Sequence, residues 1–173
     1  ASNEGAEATA PVVPGSTLRI VLHTGLANMP GLTPVERDVP YVRGVIPQIQ
    51  AAISELAVSS AEVPALLPVG TRVLDVAFSA AGTVYIDLSS ELDAVREVGP
   101  DEEKRVVQSI VTTITENFKA VRRVVLLVDG KAPRPFHLDL TRPLRPDDPM
   151  FAAWEAPEAP TPTPSAPSPR PTR

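Results

Sequence analysis

The chain of 173 residues contains no cysteine. This excludes disulfides, thiolate zinc sites, iron–sulfur clusters and a cysteine nucleophile together. Aromatic residues are scarce, at 4%, which leaves little material for the large sugar cleft of a glycosidase. No stretch approaches the roughly 18 apolar residues of a membrane-spanning helix. No long Lys/Arg run is present either, and the formal net charge is −5. Neutralising phosphate backbones or an anionic leaflet is therefore not the main task, and nucleic acid is not an expected partner. Ala1–Ser16 lacks an initiator Met, a basic region and an apolar h-region, so it does not read as a signal peptide, and a targeting or anchoring segment is expected upstream.

Proline is abundant, with 21 residues. Residues 1–16 read as a flexible polar linker. Residues 146–173 read as a Pro-rich disordered tail, whose final part Pro157–Arg173 (PEAPTPTPSAPSPRPTR) favours an extended polyproline II tether of roughly 50 Å at about 3.1 Å per residue. Between them, 17–145 reads as one globular domain, in keeping with 43% apolar and 21% charged residues overall.

Two hydrophobic periods alternate through that domain. Thr17–His23 places Leu18, Ile20 and Leu22 on one face of a strand. Gly25–Pro34 breaks into a loop, and Val35–Val39 adds a short extended piece. Ile46, Ile49, Ile53 and Leu56 recur at helical spacing, so a helix is expected over Pro47–Leu56, with Pro47 in its first turn. Arg72–Phe78 and Thr83–Leu88 alternate around a short Gly-containing loop and predict a β-hairpin. Gly99–Pro100 followed by Asp101, Glu102 and Glu103 marks a helix start. Val107, Ile110, Ile114 and Phe118 then continue that helix, although its β-branched residues weigh against helix. The continuously apolar Val124–Val128 predicts a central strand buried on both faces. Asp129–Gly130 supplies a turn, and Phe136–Leu140 is expected to return as a short edge strand. The order gives an α+β fold, an αβ sandwich in which a small mixed or antiparallel sheet carries two helices on one face.

Several blocks in this order resemble one family. LTPVERDVP (32–40), LLPVGTRVLDVAFSAAGTVYIDLSSEL (66–92), IVTTITENFKAVRRVVLLVDGK (110–131) and HLDLTRPL (137–144) are similar to the GerMN domain of sporulation and germination proteins. The most specific pieces are Pro68, Gly70 and Thr71 leading into the hairpin, Ile86–Ser89 ending it, and the Thr-x-Thr-Glu to Val-Asp-Gly run. The family usually carries Gly-Pro soon after the first helix, where this chain reads AVSSAEVP (57–64). The resemblance implies an αβ fold like the ring-building modules of secretion and sporulation channels. It implies a position outside the cytoplasmic membrane, as a lipoprotein or behind a single transmembrane helix. It also implies a scaffolding role with no catalytic residues and no cofactor.

The residues are consistent with that absence of chemistry. His23, His137 and Asp139 form only a loose trio, short of the three or four supported ligands of a metal site. Ser89 and Ser90 follow a strand but lack a Gly-x-Ser-x-Gly frame, and capping of the next turn explains them better. Asp129-Gly130-Lys131 has no earlier glycine to open a phosphate cradle, which leaves a hairpin turn. Asp75, Asp87, Glu91 and Asp93 read as solvated acids. The feature that stands out is charge polarity. Asp87, Glu91, Asp93, Glu97, Asp101, Glu102 and Glu103 crowd one stretch, and Lys119, Arg122, Arg123, Lys131 and Arg134 crowd another. This complements the helix dipole, and it also offers complementary faces that could meet head to tail between copies. Glu97, Asp101, Glu102, Glu103, Lys119, Arg122 and Arg123 are the candidate interaction residues.

The leading expectation is a non-enzymatic, membrane-tethered extracytoplasmic scaffold. Its partner would be an envelope or sporulation-complex protein, with self-association as one form, and its only membrane contact an anchor absent from this chain. The alternative is a small-ligand or cell-wall glycan-binding module, using the sheet face around Tyr85 and the loop Gly25–Pro34.

Overall fold

A computed structural model describes residues 12–25, 31–60, 63–134 and 136–152. Alternation builds the first hairpin. Strand β1 (Val12–Thr24) and strand β2 (Thr33–Val42) pair antiparallel, with Leu22 opposite Val35 and Ile20 opposite Arg37. Ile20, Leu22 and Val39 point into the core. On the outer face Arg19 lies opposite Asp38, and its Nε donates to the carboxylate at 3.0 Å. Both strands are longer than Thr17–His23 and Val35–Val39, because Pro14 and Gly15 hide the beginning of β1 from an alternation test. The ladder is irregular there, between Val12 and Thr17.

Helix α1 (Val45–Leu56) follows the expected spacing and buries Ile49, Ala52, Ile53 and Leu56. Strands β3 (Val73–Phe78) and β4 (Thr83–Leu88) form the predicted hairpin, closed by Ser79 and Thr83, whose backbones hydrogen-bond. Gly82 is needed in that turn, since its φ is +81 and a Cβ would lie 3.0 Å from the Ala120 carbonyl oxygen. A 3-10 turn (Ser90–Ala94) and a short helix α2 (Val95–Val98), which the sequence patterns do not announce, lead into α3 (Pro100–Asn117). Its β-branched residues pack inward: Val106, Val107, Ile110, Val111 and Ile114 are buried.

Strand β5 (Arg123–Val128) pairs parallel with β4, giving the order β3-β4-β5. The apolar run at 124–128 is therefore not the central strand, and β4 takes that place. Connectivity decides this, because β3 occupies one edge of β4 as its hairpin partner and the crossover through α3 delivers β5 to the other. Burial along β5 alternates, with Val124, Leu126 and Val128 buried and Val125 and Leu127 half-buried. No strand forms at Phe136–Leu140, and the outer side of β5 is instead bridged antiparallel from Val124 to Leu144. Prolines 133 and 135 remove amide hydrogens that a ladder would need.

Helices α1 and α3 and the inner faces of the two sheets share one core, with Ile20, Ile53, Ile86, Ile110, Ile114 and Leu126 at its centre. Residues 12–16 belong to β1, and residues 146–152 pack onto the domain with Phe151 only 6% exposed. The fold thus reaches beyond both 17 and 145, while 1–11 and 153–173, including the Pro-rich tail, lie outside the described residues. Lys104 on α3 donates to the Ala152 carbonyl. Arg142 grips the buried Asp148 carboxylate at 2.5 and 2.8 Å, and Asp148 also accepts from the Met150 amide.

The Arg142 hydrogen bond holds the Asp148 carboxyl below its ordinary pKa of 3.8. A carboxyl whose pKa falls on folding stabilises the fold above its unfolded value and loses that contribution as acid protonates it. Stability followed by urea unfolding should therefore drop as the pH falls below about 4. Asp148→Asn should flatten part of that acid limb while lowering stability at pH 7.

Candidate functional site

Helix α3 is the ruler for the candidate residues, since its 18 residues span roughly 27 Å at 1.5 Å per residue. At its N-terminal end Glu97 and Asp101 are exposed, and Glu102 is half-buried and pairs with Arg105 at 3.2 Å. Just past its C-terminal end Lys119, Arg122 and Arg123 are all exposed. The structure therefore brings three acids together and three bases together at opposite ends of one helix.

Two corrections sharpen that polarity. Glu103 is not a surface residue, because its side chain is 0% exposed. One carboxylate oxygen accepts from the His137 amide at 3.1 Å and contacts His137 Nδ1 at 2.9 Å, and the other accepts from the Leu138 amide at 2.7 Å. A buried carboxylate is tolerable only when satisfied in this way. Lys131 and Arg134 also fall away from the basic end. They follow β5, which runs back toward the N-terminal end of α3, and both line a small depression that includes Ser90, Asp93 and Asp129. They belong with the acids.

The other polar residues have structural duties. The hydrogen bond from Val21 to Asn117 and that from His23 to Thr113 set β1 antiparallel to α3. Asn117 completes the match by donating to the Val21 carbonyl at 2.7 Å, and Ser109 donates to the His23 carbonyl. Three helix positions four residues apart thus cover the free edge of β1. The spacing Ser109, Thr113, Asn117 is the signal that could have revealed this, since polar residues aligned on a helix face need a partner. The other edge of that hairpin is blunted by proline. Pro34 lies opposite His23 and Pro40 opposite Thr17. The His23 amide is used by α3, so these are pairs without ladder bonds, and the missing amide hydrogens face the open edge of β2.

His23 and His137 do not meet. His23 Nε2 lies 2.6 Å from Glu116, whereas His137 binds Glu103, thirteen positions earlier on α3. Among the described residues no group of three His, Asp or Glu side chains is placed to hold a metal. Ser89 occupies the N-cap position of the 3-10 turn, yet its hydroxyl makes no cap bond and accepts the Arg72 amide at 2.9 Å. Hydrogen bonding from Ser89 also lowers the Glu91 pKa. Asp129 and Gly130 form a tight turn with φ +49 and +73, closed by paired bonds between Val128 and Lys131. Both positive φ values identify a type I′ hairpin turn. Asp87 steadies it by accepting the Gly130 amide at 2.8 Å.

A shallow depression of about 300 Å³ runs along 133–141, with Arg134, Phe136 and Leu138 in its wall. Arg96 stacks over the Phe136 ring at 4.7 Å and donates to Asp93 at 2.7 Å. Tyr85 is exposed on the outer face of the β3-β4-β5 sheet. Of the Gly25–Pro34 loop, residues 26–30 lie outside the described residues. No helix among the described residues is long and apolar enough to cross a membrane.

Comparison with known proteins adds the lineage. The model of the family described as "Germane: Sporulation and spore germination" matches residues 24–133. The tandem GerMN domains of the sporulation protein GerM from Bacillus subtilis, a solved structure, share 22% identity with this chain at a TM-score of 0.60, covering 76% of it and 46% of the tandem protein. The first GerMN domain of that protein, taken alone, gives 22% identity and a TM-score of 0.55 over 76% of this chain and 96% of the domain. A candidate lipoprotein from Clostridium perfringens gives 19% identity and 0.52 over 79% of this chain and 91% of that one. The chain thus spans about half the length of the tandem protein and nearly all of one of its domains. No curated protein matches the chain. A family match over residues 24–133, together with the ββαββααβ order and the Pro68-to-Thr71 lead into the hairpin, places this chain in the GerMN family of sporulation and spore germination domains.

Proposed function

We propose that this chain is a non-enzymatic assembly module, tethered outside the cytoplasmic membrane, that links components of a cell-envelope or sporulation complex. The observation that carries the reading is the charge separation along α3, with Glu97, Asp101 and Glu102 at one end and Lys119, Arg122 and Arg123 at the other. Family membership supports it. So does the engagement of the buried polar side chains of α3, since Glu103, Ser109 and Thr113 bind backbone within the domain rather than a common cleft. Opposite charges at opposite ends favour head-to-tail contact, which steers encounter and sets orientation. The anchor is expected upstream of Ala1, in keeping with the lipoprotein named among the similar structures.

Sedimentation at low ionic strength tests the reading. Lys119→Glu/Arg122→Glu makes both ends acidic and should abolish self-association. Asp101→Lys/Glu102→Lys makes both ends basic and should do the same. An equimolar mixture of the two should associate again, because each variant's altered end now meets its complement. Assembly that is indifferent to both variants would sink the proposal.

A further inference from the structure

The β3-β4-β5 sheet buries one face beneath the helices, and the described residues leave the other bare. Alternation puts Ala77, Tyr85, Val125 and Leu127 on the bare face, and the register shift between Val73 and Asp75 turns Leu74 outward as well. Leu74 is 44% exposed and Tyr85 41%. The two ends of this face carry opposite charge. Asp75 stands opposite Asp87 at one end, and Arg123 stands opposite Thr83 at the other. Tyr85 sits midway, two residues from each.

We propose that a second copy of this chain packs on this face across a two-fold axis near Tyr85, so that Asp75 and Asp87 of each copy meet Arg123 of the other. Three features favour a second copy as the occupant. A two-fold rotation exchanges the acidic and basic ends, so the face is complementary to itself. Its apolar middle falls on the axis, where two flat sheets can stack about 10 Å apart. The edges of β1, β2 and β3 offer no easier route, since β1 is covered by α3, β2 carries Pro34 and Pro40 outward, and β3 is broken by its irregular register, while β5 is bridged to Leu144 at Val124. Three strands of this length cover roughly 300 Å² per copy, well below the ~800 Å² of a standard interface, so the dimer is weak when dilute and depends on high local concentration. This deepens the assembly reading by naming its partner, and it uses the outer sheet face, which shares only Arg123 with the ends of α3.

The absence of native cysteine makes a direct test available. Tyr85→Cys introduces a single thiol beside the axis. Under mild oxidation it should form disulfide dimers at least tenfold faster than Val69→Cys, a control position that is 94% exposed and lies off the face. Ala77→Cys, one strand away, should also exceed the control. Adding Asp75→Arg, or Arg123→Asp, to Tyr85→Cys should each bring the rate down to that of the control. Mixing those two double variants should restore it, because the charges at positions 75 and 123 are again opposite across both halves of the mixed dimer. Lys119→Glu/Arg122→Glu in the Tyr85→Cys background should leave the rate unchanged, which separates this contact from the helix-end contact. Equal rates for Tyr85→Cys, Ala77→Cys and Val69→Cys, or a mixture no faster than its components, would overturn the proposal.

Discussion

Glu103→Ala is expected to destabilise the domain by about 3 kcal/mol, because it strands donors that a buried carboxylate now satisfies. For a domain of this size that corresponds to a fall in Tm of roughly 10 °C. The reason is the position of Glu103, fully buried on the first turns of α3 and bonded to the amides of His137 and Leu138. Those bonds hold residues 136–138 against the helix, where no strand ladder does so. Glu103→Gln keeps an acceptor for one amide and should lose about half as much. Glu102→Ala, one residue earlier and partly solvated, should change stability by less than about 0.5 kcal/mol. Thermal melting of the three variants separates the cases. A Glu103→Ala protein that melts with the wild type would show that the carboxylate is dispensable to the anchoring of residues 136–138.

The second large effect is expected at Asn117. Its amide group accepts the Val21 N–H at 2.8 Å and donates to the Val21 carbonyl at 2.7 Å, as a neighbouring strand would. It also donates to the Thr113 carbonyl at 2.7 Å. Asn117→Ala removes all of these and should lower stability by about 2 kcal/mol. It also opens the edge of β1, so aggregation on heating should increase. Asn117→Asp preserves the shape but sets a carboxylate oxygen against two carbonyl oxygens. It should therefore be at least as damaging as alanine above pH 5, although it is the closer isostere. Urea unfolding of the pair decides the matter, and an aspartate variant more stable than the alanine variant would refute the assignment of the amide donors.

How far each feature can be read in advance follows from what a repeating pattern records. Helix α1 is legible because Ile49, Ile53 and Leu56 recur on one face, and α3 because an acidic first turn precedes Val107, Ile110 and Ile114. The β3/β4 hairpin and the Asp129–Gly130 turn are legible because short loops and positive φ demand particular residues. Periodicity reports which side of an element is apolar, and turn chemistry reports where the chain must bend. Neither reports what lies across the core. The apolar run Val124–Val128 reads as central for that reason, yet the outer position goes to β5 through the hairpin and the α3 crossover.

The candidate surfaces divide in the same way. Seven charged residues are marked by their crowding in the chain, and six of them do stand at the two ends of α3. The seventh, Glu103, carries the same charge in the same acidic run but faces inward, where two amides from residues 34 and 35 positions away meet it. In the sequence the sheet face shows only as the surroundings of Tyr85. Its division into an Asp75 and Asp87 end and an Arg123 end exists only once β3, β4 and β5 are placed side by side.

The amino-acid sequence by itself determined the main secondary elements, the absence of thiol chemistry, the charge separation along α3 and the family. These rest on local spacing, residue type and the order of motifs, all of which survive in a one-dimensional string. Only the tertiary structure decided that β4 is central, that Glu103 is buried, and that Ser109, Thr113 and Asn117 cover β1. It also decided that β1 begins at Val12 and that Phe151 packs into the core. Each of these depends on a hydrogen bond or contact between residues far apart in the chain, and such a contact leaves no period in the sequence on either side of it.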